Sequence, residues 1–428
     1  MEVKSRRPFS NLKSWKWQNV ILLALMTFYL TNFGFRVATE KFPFYAQDFF
    51  AYWSVGKIAD VTGYSKVYDL NLVRSVETDE MIKLGLLESK DDPNFSPIPA
   101  SYLSIFIIPF QFLSRIEIQT SATIWLIINF LMMIAYLFFF HRDPRFRGEF
   151  KTGGYSLLLV VLFSYPVFDN FLEGQINVFL MICVGEFIRN AVKGRPFISG
   201  LWLAGLLLKP PLLILLLPIL LIMRYWKVVF GFMVSSLFVL TTSWVLSGTR
   251  GMIAFTTMML KIGSGGAASS PQYMINWRMV GVNLNAWTHS NIGWIVMVLG
   301  MLATLGILIY IMKNRPVLGS IAWVMAIMGA FSATLAFTWH VHNHTAMIMI
   351  PLLIYAILKK ALPVTTIWSW VLVPTGAWLA AVVIIIVISK FTLINVEWLL
   401  GFSIAMSGFL ANQILFLSIL YSKRKGVL

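Results

Sequence analysis

Charged residues are scarce in this chain of 428 residues, and acidic ones are the scarcest. Only 12% of the residues are Asp, Glu, Lys or Arg, with 18 acidic residues against 34 basic ones, while 58% are hydrophobic. A soluble domain carries about 25% charged residues, and its core could not enclose so large an apolar fraction. With a mean hydropathy of +0.77, this composition excludes a soluble globular protein and predicts one that crosses a membrane many times.

Cysteine is nearly absent as well. Cys183 is the only cysteine, so no internal disulfide can form. Cysteine usage therefore does not indicate whether the protein works in an oxidising or a reducing compartment. The net charge of +16 would indicate nucleic acid in a soluble protein, but here the basic residues lie in short loops between apolar runs, where membrane proteins carry topology signals. The glycine-rich run that begins at Gly263 lacks the Lys-Ser or Lys-Thr of a phosphate-binding loop. We therefore expect no nucleic-acid partner and no nucleotide cofactor.

The apolar runs predict an all-α polytopic bundle of about 12 transmembrane helices, within a range of about 11 to 13, because a span needs about 20 residues. If the chain crosses at each run, every basic loop falls on the side of the basic N-terminus, which predicts that both termini are cytoplasmic. The short run Ile98 to Ser114 contains Pro99 and Pro109, and we expect it to lie at the surface or to re-enter. A thirteen-span arrangement is the alternative. The runs lie near 17–35, 120–140, 153–169, 175–190, 196–209, 211–225, 228–247, 291–312, 316–337, 344–361, 366–389 and 397–421.

We interpret residues 1–428 as one integral membrane domain with two long external loops. Residues 36–97 contain ten of the 18 acidic residues and form the first loop, which we expect to carry interfacial helices; residues 248–290 form the second. Within the second loop, the Gly- and Ser-rich run Gly263 to Ser270 predicts a mobile loop over a site. The predicted inner side has few polar residues except Lys and Arg, whereas acidic, amide and histidine side chains collect on the outer side. This distribution favours chemistry at the external face, because a transporter would place such groups near the midplane of the membrane.

Asp48 is the candidate catalytic residue. It lies among aromatic residues, two of which are Tyr52 and Trp53. In that setting it could act as a general base that removes the proton of an attacking hydroxyl, with Tyr52 and Trp53 as substrate-binding faces. The alternatives are that Asp48 caps a helix and that Trp53 is an interfacial anchor.

Lys209 is a single cation between two apolar arms and beside two prolines. A lysine in that position requires an anion, and a lipid phosphate is the one most available; otherwise its side chain reaches the surface by snorkelling. Gln175 and Asn177 lie at the start of a predicted helix and could hydrogen-bond a hydroxyl or a phosphate, or could only cap the helix.

Three of the five histidines, His340, His342 and His344, fall within five residues. We expect phosphate or hydroxyl contacts from His342 and His344, or structural packing, and no metal, because no carboxylate lies within the run and i, i+2 pairs do not share a helix face. Arg278, next to Trp277, is a second external cation that either binds phosphate or pairs with an acidic loop residue.

A family resemblance rests on several short segments and on their order along the chain. They are 48–52, 63, 67–69, 95–97, 109, 174–177, 200–205, 209–210 and the histidine run up to 351. Together they resemble the polyprenyl-phosphate-sugar-dependent glycosyltransferases of the membrane-embedded C type (GT-C), and most of all glycosyltransferase family 87. The resemblance implies an external first loop with Asp48 as the base and inverting transfer without metal, nucleotide or other cofactor. It also implies cations at the leaving lipid phosphate, a role that Lys209, His344 and Arg278 match by position. The family's histidine corresponds to either His342 or His344.

The resemblance therefore implies an enzyme of the plasma (inner) membrane that moves one sugar, a pentose or hexose such as mannose or arabinose, from a polyprenyl-phosphate donor to a hydroxyl of a lipid or glycan acceptor. Its partners would be these two substrates and membrane lipids. The alternatives are a secondary transporter or lipid flippase, and then a membrane scaffold or a transferase of acyl or phospho groups. A transporter would favour inverted repeats or a charge deep within a span.

Overall fold

The computed structural model describes residues 12–39, 46–90, 92, 95–100, 102–146, 159–263, 270–388 and 396–425. These residues form helices and no strand. The α-helices are α1 Leu12–Thr39, α2 Gln47–Thr62, α3 Leu70–Lys83, α4 Ile108–Leu113, α5 Ile118–Arg142, α6 Tyr165–Leu172, α7 Asn177–Val192, α8 Pro196–Leu203, α9 Leu216–Ile222, α10 Trp226–Gly263, α11 Trp277–Thr288, α12 Ile292–Met312, α13 Ile321–Phe337, α14 Ile350–Leu358, α15 Val364–Ile388 and α16 Val396–Arg424. Short 3₁₀ helices cover Tyr64–Lys66, Ser104–Ile107, Ala204–Leu208, Pro210–Leu213, Pro271–Tyr273 and Asn343–Met349.

Six of these helices are long and apolar enough to cross a membrane, so the prediction of an all-α polytopic membrane protein is confirmed. Five of them lie within a few residues of predicted runs, because a continuous apolar stretch of this length has few alternatives to a helix in a bilayer. The sixth, Trp226–Ile262, begins with the run at 228–247 and extends beyond it. The six are Trp17–Thr39, Ile118–Arg142, Trp226–Ile262, Ile292–Met312, Val364–Ile385 and Trp398–Arg424.

Most of the remaining predicted runs form helices shorter than a full span, such as Pro196–Leu208, Pro210–Ile222 and Asn343–Leu358. Prolines and 3₁₀ turns interrupt them. The segment Ser104–Leu113, within the run predicted to lie at the surface or re-enter, is also shorter than a span. The number of crossings therefore stays a prediction.

Helix α13 forms the centre of the bundle, where every residue from Trp323 to Ala336 is buried. Its start is fixed by Ser320, whose side chain accepts a hydrogen bond from the backbone N–H of Trp323 at 3.1 Å, a common way to satisfy a free donor at a helix N-terminus. The 3₁₀ helix Asn343–Met349 and α14 follow, and they pack against α7. The segment that links α13 to this 3₁₀ helix contains the histidines.

The turn between α6 and α7 holds the start of α2. The N–H of Ala46 donates to the carbonyl of Leu172 at 2.6 Å, and the N–H of Asp48 donates to that of Glu173 at 3.1 Å. Gly174 has a φ of +65°, and a Cβ there would lie 2.9 Å from the Cβ of Phe49. Glycine is therefore required both by the left-handed backbone and by the close approach of α2.

A break in the chain at Lys209 separates two apolar arms. Lys209 has φ −129° and ψ 77°, which agrees with the extended conformation that proline imposes on the residue before it. Pro210 lacks an N–H and cannot continue the hydrogen bonding of the preceding 3₁₀ helix. The break directs the Lys209 side chain towards the α6–α7 turn, where it contacts Gln175 and Asn177.

Helix α10 extends beyond the predicted span. The backbone departs from helical geometry at Gly248, with a φ of 67°, and becomes helical again up to Gly263. The predicted second external loop, 248–290, thus contains the second part of α10 and all of α11. Of the run predicted as a mobile loop, Gly263 to Ser270, residues 264–269 lie outside the described residues.

Candidate active site

A cavity of about 680 Å³ lies between the start of α2, the α6–α7 turn, the break at Lys209 and the histidine segment. Its volume is within the usual range for small-molecule sites. Tyr102, which precedes the 3₁₀ helix Ser104–Ile107, also lines the cavity. The polar and ionisable residues that the four parts contribute include Asp48, Tyr52, Asp169, Glu173, Gln175, Lys209, His340, His342 and His344. The structure therefore brings together most of the site residues predicted from distant parts of the sequence.

Asp48 lies in the first turn of α2 and faces this cavity. The residue that caps this helix is Ala46, without a side-chain hydrogen bond, so Asp48 is not the helix cap that the alternative interpretation required. The Asp48 carboxylate accepts a short hydrogen bond from Nε2 of Gln175. The positive end of the helix dipole favours a carboxylate at this position.

Gln175 connects the carboxylate to the cation. While its Nε2 donates to Asp48, its Oε1 accepts from Nζ of Lys209 at 3.1 Å and from the hydroxyl of Tyr52 at 3.1 Å. The Tyr52 hydroxyl also lies 3.0 Å from that of Tyr102. Every polar atom of the Gln175 side chain is thus engaged, which gives the amide one orientation.

The Lys209 ammonium group contacts neutral amides. Its Nζ donates to Oδ1 of Asn177 at 2.9 Å as well as to Gln175. Asn177 is itself held by Asn170, the Nδ2 to Oδ1 distance being 3.0 Å. Burial lowers the pKa of Lys209 to about 8, although the carboxylates of Asp48 and Asp169 oppose this shift. An ammonium group has three N–H donors, so one remains for a ligand in the cavity.

The histidines line another part of the cavity, next to Asp169. Oδ2 of Asp169 accepts from the backbone N–H of His344 at 3.0 Å and lies 3.3 Å from its Nδ1. The ring centroids of His340 and His342 are 5.0 Å apart. Burial, reinforced by nearby positive charge, lowers the pKa of His340 to about 4 and that of His342 to about 3, so both rings are neutral at pH 7. Within the described ranges, no group of three or more His, Cys, Asp or Glu residues could hold a metal ion.

Three predicted site residues do not line the cavity. Arg278 lies behind Trp339: its guanidinium is 4.3 Å from the Trp339 ring and its Nη1 donates to the Trp339 carbonyl at 3.2 Å. Trp53 points away, because its Nε1 donates to the carbonyl of Ile116 at 3.2 Å. Asn177 is buried behind Lys209. These three residues lie outside the cavity lining, and their roles in substrate binding stay predictions. In the structure Arg278 contacts Trp339, and Asn177 contacts Lys209.

Five acidic or phenolic residues of the cavity were not among the predicted site residues: the carboxylates Asp169 and Glu173 and the phenols Tyr102, Tyr165 and Tyr273. Asp169 and Glu173 are four residues apart at the end of an apolar run, and i, i+4 residues share one face of a helix. This spacing was a usable signal. Tyr102 had none, because nothing in its neighbourhood sets it apart from other interfacial tyrosines.

Comparison with known proteins identifies the family. Residues 102–337 match the model of glycosyltransferase family 87, which is more than half of the chain. This range contains Gln175 and Lys209 but neither Asp48 nor the histidine segment. No curated protein and no solved structure matches the chain. The protein is therefore a multi-pass membrane glycosyltransferase, and the chain belongs to glycosyltransferase family 87.

Proposed function

We propose that this glycosyltransferase moves one sugar from a polyprenyl-phosphate donor to a hydroxyl of a lipid or glycan acceptor, at the external face of the plasma membrane. The transfer inverts the anomeric centre and uses neither metal nor nucleotide. The sugar is a pentose or hexose, mannose and arabinose being the candidates that the family resemblance implies. Family membership supports the sugar transfer, and the position of the cavity within an apolar bundle supports a lipid-linked donor.

In the proposed reaction Asp48 is the general base. The acceptor oxygen attacks the anomeric carbon, its proton passes to the Asp48 carboxylate, and the bond from that carbon to the phosphate oxygen breaks. The released polyprenyl phosphate carries additional negative charge, which the Lys209 ammonium stabilises. A single displacement of this kind inverts the configuration at the reacting carbon.

The observation that carries the proposal is the arrangement of Asp48 and Lys209 at the two ends of one amide. Gln175 binds the carboxylate through Nε2 and the ammonium through Oε1. Asp48 and Lys209 are thus held one amide group apart. A displacement requires a base and a cation placed in this way, because the attacking hydroxyl and the leaving phosphate lie on opposite sides of one sugar carbon.

The test is an assay of membranes that contain the protein, with a panel of radiolabelled polyprenyl-phosphate sugars and, separately, nucleotide sugars. We expect transfer from one lipid-linked sugar and from no nucleotide sugar. Asp48→Asn retains the shape of the side chain but removes its basicity, so the rate should fall about a hundredfold or more. Equal use of a nucleotide sugar would refute the donor class.

Asp60→Asn is the matched control for Asp48→Asn. Asp60 is on the same helix but forms an ion pair with Arg115 at 2.7 Å and is not part of the cavity lining. We expect its activity to remain close to that of the unmodified protein. If Asp48→Asn turned over at the rate of this control, the assignment of the base would be wrong.

A further inference from the structure

Gln175 is a buried amide that is hydrogen-bonded at both ends of its side chain. Its exposed fraction is 6%. Its Oε1 accepts from two donors, Nζ of Lys209 and the hydroxyl of Tyr52, each at 3.1 Å. In the described part of the chain, Nε2 of Gln175 is the only group that hydrogen-bonds the Asp48 side chain. The state of the Asp48 carboxylate therefore depends on which way this amide points.

Two tyrosine hydroxyls determine the direction of the hydrogen bonds. A phenol carries one hydrogen. Tyr52 donates its hydrogen to Gln175, so the hydrogen between the two hydroxyls, 3.0 Å apart, comes from Tyr102. Tyr102 is itself fixed through its backbone carbonyl, which accepts from the hydroxyl of Tyr68 at 2.8 Å. All donors along this series of contacts point the same way, and the series ends at the carboxylate of Asp48.

The opposite orientation of the Gln175 amide is unfavourable at both ends. It would place the NH₂ group against the Lys209 ammonium and the amide oxygen against the Asp48 carboxylate. Such repulsion is strong in a site with little solvent, where the effective dielectric constant is low. The amide is therefore fixed as a donor to Asp48, and a hydrogen bond donated to a carboxylate stabilises its ionised form.

The other titratable groups of the cavity do not replace this donor. Asp169 and Glu173 are carboxyl groups of the same lining, and an ionised carboxylate only accepts hydrogen bonds. Burial lowers the pKa of His344 to about 3, so its ring carries no positive charge at neutral pH. Only the amide of Gln175 thus offers Asp48 a hydrogen within this group.

Lys209 is the one cation among the described residues that line the cavity. It attracts Asp48 at longer range but forms no ion pair with it in the described ranges. Burial lowers the pKa of Lys209 to about 8, so its charge is lost as the pH rises above that value. The same amide that donates to the base therefore also accepts from a cation that titrates near neutral pH.

We propose that Gln175 is a positioning residue that keeps Asp48 ionised and Lys209 charged. Tyr52 and Tyr102 act through it, because their hydroxyls fix the direction of its amide. Gln175 and Tyr52 then serve the base and the cation and are not direct ligands of the substrate. The part of Asp48 in catalysis rests on the proposed function, whereas the stabilisation of its ionised form does not.

The first experiment measures kcat/KM for Gln175→Met from about pH 4 to about pH 10. Met keeps the length of the side chain and removes both polar atoms. Without the donor to Asp48, the acid limb of the profile should move to higher pH by about one to two units, as for the loss of one hydrogen bond to a charged group. Without the acceptor for Lys209, the alkaline limb should move to lower pH. A profile that is lowered at every pH with both limbs in place would show a substrate ligand and overturn the proposal.

Gln111 offers a matched control, because it makes the same pattern of contacts outside the cavity lining. Its Oε1 accepts from the hydroxyl of Tyr64 at 2.5 Å, and its Nε2 donates to Asp60 at 3.4 Å. Gln111→Met should leave both limbs where they are in the unmodified protein. Equal shifts in the two Met variants would mean a general effect of the substitution, and the proposal would fail.

Tyr52→Phe tests the role of the hydroxyls while Gln175 is retained. The acid limb should move to higher pH by a few tenths of a unit, because hydrogen bonds in a series strengthen one another by roughly 10–30%. This variant also provides the test if a melting curve in detergent shows that Gln175→Met is not folded. A uniformly lowered profile with unmoved limbs would mean that the Tyr52 hydroxyl binds substrate.

The last experiment reads the ionisation of Asp48 without turnover. Infrared spectra are recorded during a pH titration in detergent, and the difference between the unmodified protein and Asp48→Asn isolates the C=O band of protonated Asp48 from those of the other acidic residues. We expect this band to appear at a higher pH when both proteins also carry Gln175→Met. Appearance at an unchanged pH would refute the positioning role. If the shift were present but no lipid-linked sugar were transferred, the proposed function would fail and the positioning role would stand.

Discussion

Lys209, for which we propose a role in binding the donor phosphate, is held in the cavity by neutral partners. Its ammonium is bound by the amide oxygens of Gln175 and Asn177 and forms no ion pair with a carboxylate in the described part of the chain. Two neutral partners hold the group in position without neutralising its charge. A structural lysine in an apolar environment is normally paired with an acid, and we propose that the donor phosphate supplies the negative charge that is missing here.

We expect Lys209→Ala to raise the donor KM by about 10- to 100-fold, which corresponds to the loss of one hydrogen bond to a charged group. Lys209→Arg should recover part of this loss, because it restores the charge but not the compact shape of the ammonium. Initial rates over a range of donor concentrations measure the effect.

The control for this prediction is Lys66→Ala, which removes an exposed lysine of the segment Tyr64–Lys66 and should leave the donor KM unchanged. If Lys209→Ala also left the donor KM unchanged and only lowered the melting temperature, the role of Lys209 would be structural.

Glu77 on α3 is a buried residue whose protonation should affect the stability of the protein. It is fully buried; its Oε2 accepts from the backbone N–H of Ile98 at 3.0 Å, while Oε1 has no partner. Ile98 lines the cavity, so Glu77 holds part of the cavity wall. Burial raises the pKa of Glu77 from 4.5 to about 8, so the carboxyl is mainly protonated at pH 7.

Because the folded-state pKa lies above the unfolded one, this group contributes stability that is complete below about pH 4.5 and is lost as the pH rises towards 8. We expect Glu77→Gln to flatten the decline of stability over this range by up to a few kcal/mol, since one pKa unit corresponds to about 1.4 kcal/mol. Melting temperatures in detergent from pH 5 to 9 measure this. The exposed Glu88, changed to Gln, should not alter the slope, and an equal slope in Glu77→Gln would contradict the argument.

At the scale of elements, the α6–α7 turn organises the site. It supplies Glu173 and Gln175 to the cavity, its backbone carbonyls bind the start of α2, and the Trp125 indole donates to the Gly174 carbonyl at 2.7 Å. The position of Asp48 therefore depends on how closely α2 approaches this turn.

Gly174→Ala tests this dependence. The new Cβ would lie 2.9 Å from the Cβ of Phe49 and 3.1 Å from that of Ala46, on a backbone with a φ of +65°. We expect a loss of stability greater than the roughly 1–2 kcal/mol of left-handed strain alone, together with reduced turnover, as measured by melting curves and the transfer assay.

Gly194→Ala is the matched control, because Gly194 has a similar φ of +71° and open space around its Cβ position. Gly194→Ala should lower the stability through left-handed backbone strain but should leave the transfer activity unchanged. Equal effects of the two substitutions would mean that the close approach of α2 has no importance for the site.

At the scale of the whole molecule, ion pairs connect the loop after α5 with the loop after α7. The basic residues of both loops predict that they are cytoplasmic. Asp143, at the end of α5, forms an ion pair with Lys193, at the end of α7, and lies 3.6 Å from Arg189. Arg189 also pairs with Glu186. These two loops are therefore on one side of the bundle, as the distribution of Lys and Arg requires.

Cysteine labelling in intact cells tests the orientation. Ser65→Cys and Ser290→Cys should react with an impermeant thiol reagent, while Arg195→Cys should react only after the membrane is opened; all three positions are exposed. The natural Cys183 is 1% exposed and should give little background. Labelling of Arg195→Cys but not of Ser65→Cys in intact cells would reverse the proposed topology and place the cavity on the cytoplasmic side.

The sequence by itself determined the class of the protein and identified several residues that line the candidate site. A long apolar run can be recognised from its composition alone, and six of these runs lie in long helices of the structure, five of them with closely matching bounds. Asp48, Gln175 and Lys209 were identifiable because a polar or charged group next to an apolar segment has a high desolvation cost and so indicates a function. All three line the cavity.

Only the tertiary structure decided which groups meet. Asp48 and Gln175 are 127 positions apart, and Asp169 and His344 are 175 apart, so no local pattern encodes these contacts. For the same reason, Arg278 and Asn177 could be recognised as polar but not as supports of Trp339 and Lys209. Their roles follow from how closely the helices approach, as at Gly174, and that distance results from the packing of the whole bundle.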